Sequence, residues 1–249
     1  MIALTAVLLV LAANAATTPA PATARGWIVE EEIVRIDDGQ PPHRATQRTE
    51  ILPDRVRQEQ SDNPTVVIAR ASDPLPLVIL DSAAQSWFGY DRATLTKANL
   101  PGGPLLEGIG IDDKGQPFAP SEPFRSTGAK ASVGSWKAEA FAATAKGPGG
   151  QTTELWLANK PGGLPNDAML SVLARVYSRK GAALEPYFRS AAKLPGFPVR
   201  TIRRITLPNG VRSEMTITVT RIEAADLPLS RFELPAGYDQ IPDPIGISK

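Results

Sequence analysis

The residue types that perform most enzyme chemistry are scarce in this sequence. Its 249 residues include no cysteine and a single histidine, His43. The absence of cysteine excludes disulfides, zinc–thiolate sites, iron–sulfur clusters and a cysteine nucleophile, and one histidine excludes a multi-histidine metal site. His43 would be the base of any Ser-His-Asp triad, but it directly follows Pro41 and Pro42 in a predicted turn. We therefore interpret His43 as an exposed turn residue.

Three adjacent glutamates are the second candidate for chemistry. Glu30, Glu31 and Glu32 lie in a predicted strand, so the side chains of Glu30 and Glu32 share one face. Paired carboxylates suit general acid–base catalysis. The arginines nearby in the sequence are Arg35, Arg48, Arg55 and Arg57. We expect cross-strand charge pairs on a solvent-exposed face, and therefore predict no catalytic residue, no metal, no cofactor and no enzyme activity.

Composition narrows the class of protein further. The chain has 27 basic and 26 acidic residues, a net charge of +1, with 42% hydrophobic and 21% charged residues, which is typical of a globular domain. This balance predicts neither nucleic acid nor an anionic membrane surface as a partner. The 24 prolines argue against a helical bundle, because proline breaks helix interiors.

The N-terminus predicts export. Residues 1–15 contain an apolar run of the length found in secretory signal peptides and end in Ala13-Asn14-Ala15, a suitable cleavage site, although the run has no preceding lysine or arginine. Residues 22–24 are a second candidate site, and a buried N-terminal helix is the alternative. We predict a cleaved signal peptide over 1–15, a disordered tether over 16–25, and a periplasmic monomer without a transmembrane anchor.

The remaining chain predicts one domain over residues 26–240, followed by a tail over 241–249. Turn residues recur about every ten positions in the first third of this domain, which indicates consecutive antiparallel strands. A Gly/Pro-rich loop over 105–128 separates the two halves, and Asn209-Gly210 marks a hairpin. The predicted strands are 27–36, 44–52, 55–60, 65–69, 77–80, 86–90, 130–144, 152–158, 199–207 and 211–222.

Helices are predicted in only three places. Asp91 can cap a short helix over 92–99, and Asn166 or Asp167 can cap a second. This second helix has one apolar stripe, and a further helix is predicted over 184–193. The stripe consists of Met169, Val172, Leu173, Val176 and Tyr177. We predict an α+β fold in which a few helices pack on the apolar face of an antiparallel sheet.

Several short motifs together resemble an uncharacterised bacterial exported family with a LolA/LolB-like fold. The resemblance covers residues 26–238, and its motifs contain no catalytic residue. It implies a curved antiparallel half-barrel with helices on the concave face and an apolar cavity. The best-known members of that superfamily carry lipoproteins or lipids through the periplasm. The motifs are residues 54–59 (DRVRQE), 135–139 (SWKAE), 153–158 (TELWLA), 194–199 (LPGFPV) and 232–238 (FELPAGY).

Two functional hypotheses follow from these observations. The first is a soluble periplasmic binding protein that holds a lipid, an acyl chain or another apolar ligand in the half-barrel, with a role in envelope lipid or lipoprotein handling. The second is a non-catalytic envelope interaction or scaffold protein, bound to other envelope proteins, whose core is packed and holds no ligand. The residues predicted to line the cavity are Trp27, Ile68, Ile79, Trp136, Trp156, Met169, Leu173, Met215, Ile217 and Val219.

Overall fold

The structure is a computed structural model of the 249-residue chain. It describes residues 22–97, 110–111, 117–118, 124–144, 152–177, 193–206 and 210–242. The predicted signal peptide, the greater part of the loop over 105–128 and all but the last residue of the helix over 184–193 lie outside these ranges.

The described part of the chain is built mainly from β-strands. Strands β1 to β6 form the first half: Thr23–Asp37, His43–Leu52, Arg55–Gln60, Asn63–Arg70, Leu77–Asp81 and Ser86–Tyr90. The later strands, β7 to β14, are Gly110–Ile111, Pro117–Phe118, Arg125–Val133, Trp136–Thr144, Thr152–Ala158, Phe197–Thr206, Arg212–Pro228 and Asp239–Gln240. The mostly β architecture predicted from the turn spacing is therefore confirmed.

Twelve of the described strands form one open, curved sheet in the order β14-β6-β5-β4-β3-β2-β1-β13-β12-β11-β10-β9. Neighbouring strands are antiparallel, except that β14 pairs with β6 in parallel. Strand β1, near the N-terminus of the described chain, lies at the centre beside β13, from the C-terminal part. This long-range pairing joins the two halves into one sheet.

Three predicted boundaries need correction. Strand β1 begins at Thr23, so residues 23–25 belong to the sheet and not to a disordered tether. Strand β9 begins at Arg125, inside the predicted loop. The predicted strand over 130–144 is two strands, because the chain turns at Gly134, where φ is +55°. The first two bounds are set by pairing with a neighbouring strand, which local sequence does not show, since Thr23 pairs with Pro228 and Arg125 with Ala142.

The described helices are α1, Arg92–Lys97, and α2, Ala168–Tyr177. Asp91 caps α1 as predicted, since its Oδ1 accepts a hydrogen bond from the Thr94 backbone N–H at 2.7 Å. For α2, the backbone oxygen of Asp167 accepts the first helical hydrogen bond, from Ser171. Asn166 instead accepts a hydrogen bond from the Lys160 backbone N–H, so Asp167 occupies the cap position.

One face of the sheet packs against α2. The helix contacts β2, β3 and β4, and its residues Val172, Leu173 and Val176 are buried. They join a cluster that includes Val29 of β1 and Val67 of β4, which we call the helix-side cluster. The predicted apolar stripe of α2 is thus confirmed at these three positions. The prediction that this face is the concave one stays a prediction.

The opposite face is also covered. Ile28 and Ile68, the neighbours of Val29 and Val67, project to the other side and join a second apolar cluster with Phe232, here called the strap-side cluster. Phe232 belongs to residues 228–242, which we call the C-terminal strap; this segment crosses the sheet and ends with β14 on the edge of β6. The backbone N–H groups of Asp239 and Ile241 donate to Gln85 and Trp87 at 2.9 and 2.8 Å.

Gly26 marks a close approach between β1 and its neighbours. A Cβ atom at this position would lie 2.4 Å from the backbone oxygen of Ile51 and 2.7 Å from a methyl group of Leu52. We expect Gly26→Ala to destabilise the fold by about 1–3 kcal/mol, because the backbone must move to admit a methyl group. Gly89→Ala is the matched control, since the nearest atom there is 3.3 Å away. Chemical denaturation of both variants tests this, and equal stability of the two would contradict it.

Candidate functional site

Seven of the ten residues predicted to line a cavity belong to the helix-side cluster. Leu173 and Val219 are among its buried members. The other five are partly buried and pack against it: Trp27, Ile79, Trp136, Trp156 and Met169. The structure therefore brings together side chains from strands on both sides of the sheet centre and from α2.

The partly buried members form a rim of large apolar side chains around the buried ones. Besides the five above, the rim includes Phe88, Leu170 and Ile222. Trp156 shows the amphipathic character of this rim, because its indole Nε1–H donates to Glu154 Oε1 at 2.6 Å while its ring packs on the cluster. The rim is therefore an apolar surface that the described residues of this face leave partly open.

Three of the ten predicted residues lie elsewhere. Ile68 belongs to the strap-side cluster, because its position in β4 has the opposite orientation to Val67. Met215 and Ile217 share the face of Val219 but pack with Ile33 and Ala45 in a separate, smaller cluster. Neither Met215 nor Ile217 belongs to the helix-side cluster, which contains the buried residues of α2.

Buried polar side chains interrupt the helix-side face. Thr49 and Gln58 lie directly opposite each other in β2 and β3, and the Gln58 Nε2–H donates to Thr49 Oγ1 at 3.2 Å. Gln58 is 3% exposed, and its Oε1 has no hydrogen-bond partner. The Gln47 amide donates to Glu31 and accepts from Gln60, at 2.6 and 2.8 Å. The sequence analysis missed this network, although Gln47, Thr49 and Gln58 alternate with residues of the opposite face.

The strap-side face carries a polar cleft of about 480 Å³. One row of directly opposed residues crosses it, from Glu30 through Arg48 and Glu59 to Val66. Glu32 of the predicted acidic cluster also lines the cleft. The cleft contains none of the ten residues predicted to line an apolar cavity.

The carboxylates of this cleft are neutralised by arginines. Arg44 donates to Glu32 at 2.6 Å, and the guanidinium of Arg48 lies 3.5 Å from the Glu30 carboxylate. Arg57 forms an ion pair with Glu59. The predicted cross-strand charge pairs are therefore confirmed for Glu30 and Glu32.

Glu50 is the most buried carboxylate near this cleft. It is 1% exposed and accepts hydrogen bonds from Arg231 of the strap at 2.7 Å and from Arg48 at 3.1 Å. The hydrogen bond to Glu50 raises the pKa of the Arg231 guanidinium. Glu233, two residues further, pairs with Arg55 and Arg70 at 3.0 and 3.1 Å. These pairs hold the strap on the sheet, and sequence analysis missed them because the partners lie more than 160 residues apart.

Asp54, at the turn before β3, makes the stability of the fold depend on pH. Hydrogen bonds from Arg55 hold its pKa below its ordinary value of 3.8, although partial burial opposes the shift. A carboxyl with a lowered pKa stabilises the fold above its ordinary pKa, and this contribution is lost as the pH falls through the folded-state value. Because 40% of the side chain is exposed, we expect Asp54→Asn to cost about 1 kcal/mol or less at neutral pH.

The measurement for Asp54→Asn is urea denaturation at pH 7 and at a pH below 3. The stability difference between the variant and the unmodified protein should shrink as the pH falls through the folded-state pKa of Asp54, because its carboxyl then becomes neutral. A difference that stays constant over this pH range would contradict the assignment.

Among the described residues, the structure does not bring His43 or a set of metal ligands together into a catalytic or metal site. His43 begins β2, its side chain is 60% exposed, and its Nε2 lies 3.4 Å from Asp62. Within the ranges that the structure describes, no group of three or more histidine, cysteine, aspartate or glutamate side chains could hold a metal ion. No helix in the described part of the chain is long and apolar enough to cross a bilayer.

Comparison with protein families gives one match. Residues 122–238 match the model of a domain of unknown function, DUF4412. The matched region covers β9 to β13 and most of the C-terminal strap, and it is slightly less than half of the 249-residue chain. No curated protein matches the sequence.

Three solved structures that match this chain have low sequence identity to it. The PNGF-II structure is 9% identical with a TM-score of 0.41, and the match covers 90% of this chain but 32% of that one. The Pseudomonas aeruginosa MucA/MucB complex is 14% identical with a TM-score of 0.40, covering 85% of this chain and 56% of that one. A LolA superfamily protein from Nitrosomonas europaea is 8% identical with a TM-score of 0.33, covering 84% and 90%.

This chain thus spans about a third of the PNGF-II chain that it matches. A LolA superfamily structure is among the matches, as the motif resemblance implies. TM-scores this low carry no argument about function.

Proposed function

We propose that this protein is a non-catalytic periplasmic binding protein that holds an acyl chain or a similar apolar ligand on the helix-side face of its sheet. The observation that carries the proposal is the rim of partly buried tryptophan, methionine and aliphatic side chains around the helix-side cluster. Apolar ligand sites in proteins are lined mainly by such side chains, with a few polar groups among them.

The position of the rim supports this proposal. It borders α2, a ten-residue helix that contacts the sheet through β2, β3 and β4. Within the described ranges, α2 contacts the sheet mainly through three of its twelve strands, so part of the helix-side face beside it is left for a ligand. Gln58 adds a polar group within the cluster's strands, and its unpartnered Oε1 suits a ligand hydroxyl or amide donor.

The test compares two partly buried tryptophans on opposite faces. Trp27 packs on the helix-side cluster and Trp87 on the strap-side cluster. A fluorescent fatty acid should bind the unmodified protein, and Trp27→Ala should weaken its affinity about tenfold, or roughly 1.4 kcal/mol. Trp87→Ala is the matched control and should leave the affinity unchanged. Equal effects of the two variants, or no binding, would contradict the proposal.

A second candidate function has its own supporting observation. The centre of the helix-side cluster is tightly buried, with Val172, Leu164 and Val199 all 0% exposed, as expected of a packed core. An envelope interaction or scaffold protein would have such a core and no ligand. Mass spectrometry of organic extracts from protein purified from its native envelope separates the two, because only the first predicts a stoichiometric lipid.

A further inference from the structure

We propose that the edge of β9 and the groove beside it form a docking site for an extended, acidic segment of a partner protein, which adds to the sheet as a further strand. The two ends of the sheet differ in how the described residues cover them. At one end, β14 of the C-terminal strap pairs with β6. At the other end, β9 pairs with β10 and with no other described strand.

The β9 edge is long and open. Residues 125–132 are all exposed, and the strand has nine residues. An edge strand presents a row of backbone N–H and C=O groups, which an extended peptide can pair with along its length. At about 3.3 Å per residue, the edge offers room for a segment of comparable length.

A groove of about 500 Å³ lies beside this edge. Phe141 and Leu157 provide apolar surface in it, and Asn159 and Pro195 also line it. Lys130 of β9 and Lys137 of β10 line the groove as well. In an added strand every second side chain points to the same face of the sheet, so alternate side chains would enter the groove.

The charge of the groove identifies the partner. Its charged lining residues are Lys130, Lys137 and Glu139, and the Glu139 carboxylate accepts a hydrogen bond from Ser126. The groove is therefore net positive, whereas the whole chain is close to neutral at +1. A segment that alternates apolar with acidic residues can turn all of its carboxylates to the face that carries the two lysines.

The same charges disfavour a second copy of this chain as the partner. Antiparallel pairing of two β9 strands would bring Lys130 and Arg125 of each copy into one small area. Lysine on an edge strand is a common device that prevents such self-association.

The test uses the full chain and a fluorescein-labelled peptide of alternating valine and glutamate. We expect saturable binding by fluorescence anisotropy, and slower deuterium exchange of β9 backbone amides when the peptide is bound. A peptide of alternating valine and lysine is the control and should not bind. If β9 amides are already protected without peptide, or if the acidic peptide does not bind, the proposal is overturned.

Two charge-reversal variants locate the site. Lys130→Glu combined with Lys137→Glu should weaken peptide binding about tenfold or more, since like charges then face each other. The control variant, Arg25→Glu combined with Arg44→Glu, makes the same change in net charge but places it on β1 and β2. We expect its affinity for the peptide to stay within about twofold of the unmodified protein. An equal loss in both variants would show unspecific charge attraction and overturn the proposal. Fatty acid binding, the readout of the helix-side proposal, should be unchanged in both variants.

Discussion

Replacing Phe232 with alanine is expected to destabilise the protein by about 3–5 kcal/mol. The side chain is 0% exposed and packs with Leu52, Ile68 and Leu80 in the strap-side cluster. Its loss would leave a cavity between the strap and the sheet. The strap is also held by the Arg231–Glu50 hydrogen bond, so the cavity would not close easily. Urea denaturation followed by tryptophan fluorescence measures the loss.

Ser230→Ala is the matched control for this prediction. Ser230 lies in the same short helical turn, Leu229–Phe232, but its side chain is exposed. We expect a change within about 0.5 kcal/mol, as for most surface substitutions. If Phe232→Ala costs less than about 1 kcal/mol, the strap is not part of the folded core and its ion pairs do not hold it in place.

Ile217→Asp is expected to destabilise the fold by about 3 kcal/mol or more. Ile217 is 9% exposed and packs with Ile33, Ala45 and Met215, none of which offers a hydrogen bond from its side chain. A carboxylate placed there must either be buried without a partner or take up a proton. Thermal melts and urea denaturation would show the loss.

Thr218→Asp places the same side chain one position along the strand. Thr218 projects to the opposite face of β13, where it lies directly opposite Arg200 of β12 and Glu32 of β1. The new carboxylate would lie between the Arg200 guanidinium, which attracts it, and the Glu32 carboxylate, which repels it, so we expect a change of about 0.5 kcal/mol or less. If Thr218→Asp proves the more damaging variant, the register of β13 is shifted by one residue.

Both faces of the sheet are partly covered, which limits the surface that a ligand or partner could reach. The strap and its ion pairs occupy much of one face, and α2 covers part of the other. Within the described ranges, the rim around the helix-side cluster and the groove at β9 are the surfaces on which the two proposals rest. The first suits an apolar ligand and the second an extended peptide, so the two proposals can fail independently.

Several parts of this architecture could be predicted from local sequence. The periodic turns predict β2 to β6 to within about two residues, and β3 and β6 have the predicted bounds. The stripe of Val172, Leu173 and Val176 predicts α2 and its buried side. These elements can be predicted because turn residues and side-chain periodicity are patterns that extend over only a few neighbouring positions.

Sequence alone could not assign every cavity residue correctly, because the assignment depends on the face of the sheet to which each strand residue points. Ile68 and Ile79 both lie in apolar strands, and sequence alone assigned them to one cavity. The structure separates them, because Ile68 packs under the strap and Ile79 on the helix-side cluster. In strands buried on both faces, every position is apolar and the alternation that would distinguish the faces is lost.

The sequence by itself determined most of the strands of the first half, the helix α2, the charge pairs of the Glu30 strand and the lack of cysteine chemistry. These follow from composition and from contacts between neighbouring residues. Only the tertiary structure decided that β1 pairs with β13, that Arg231 and Glu233 clamp the strap, and that β9 forms an edge. Each of these depends on strand order, which is set by pairing between distant segments, and no local pattern encodes that pairing.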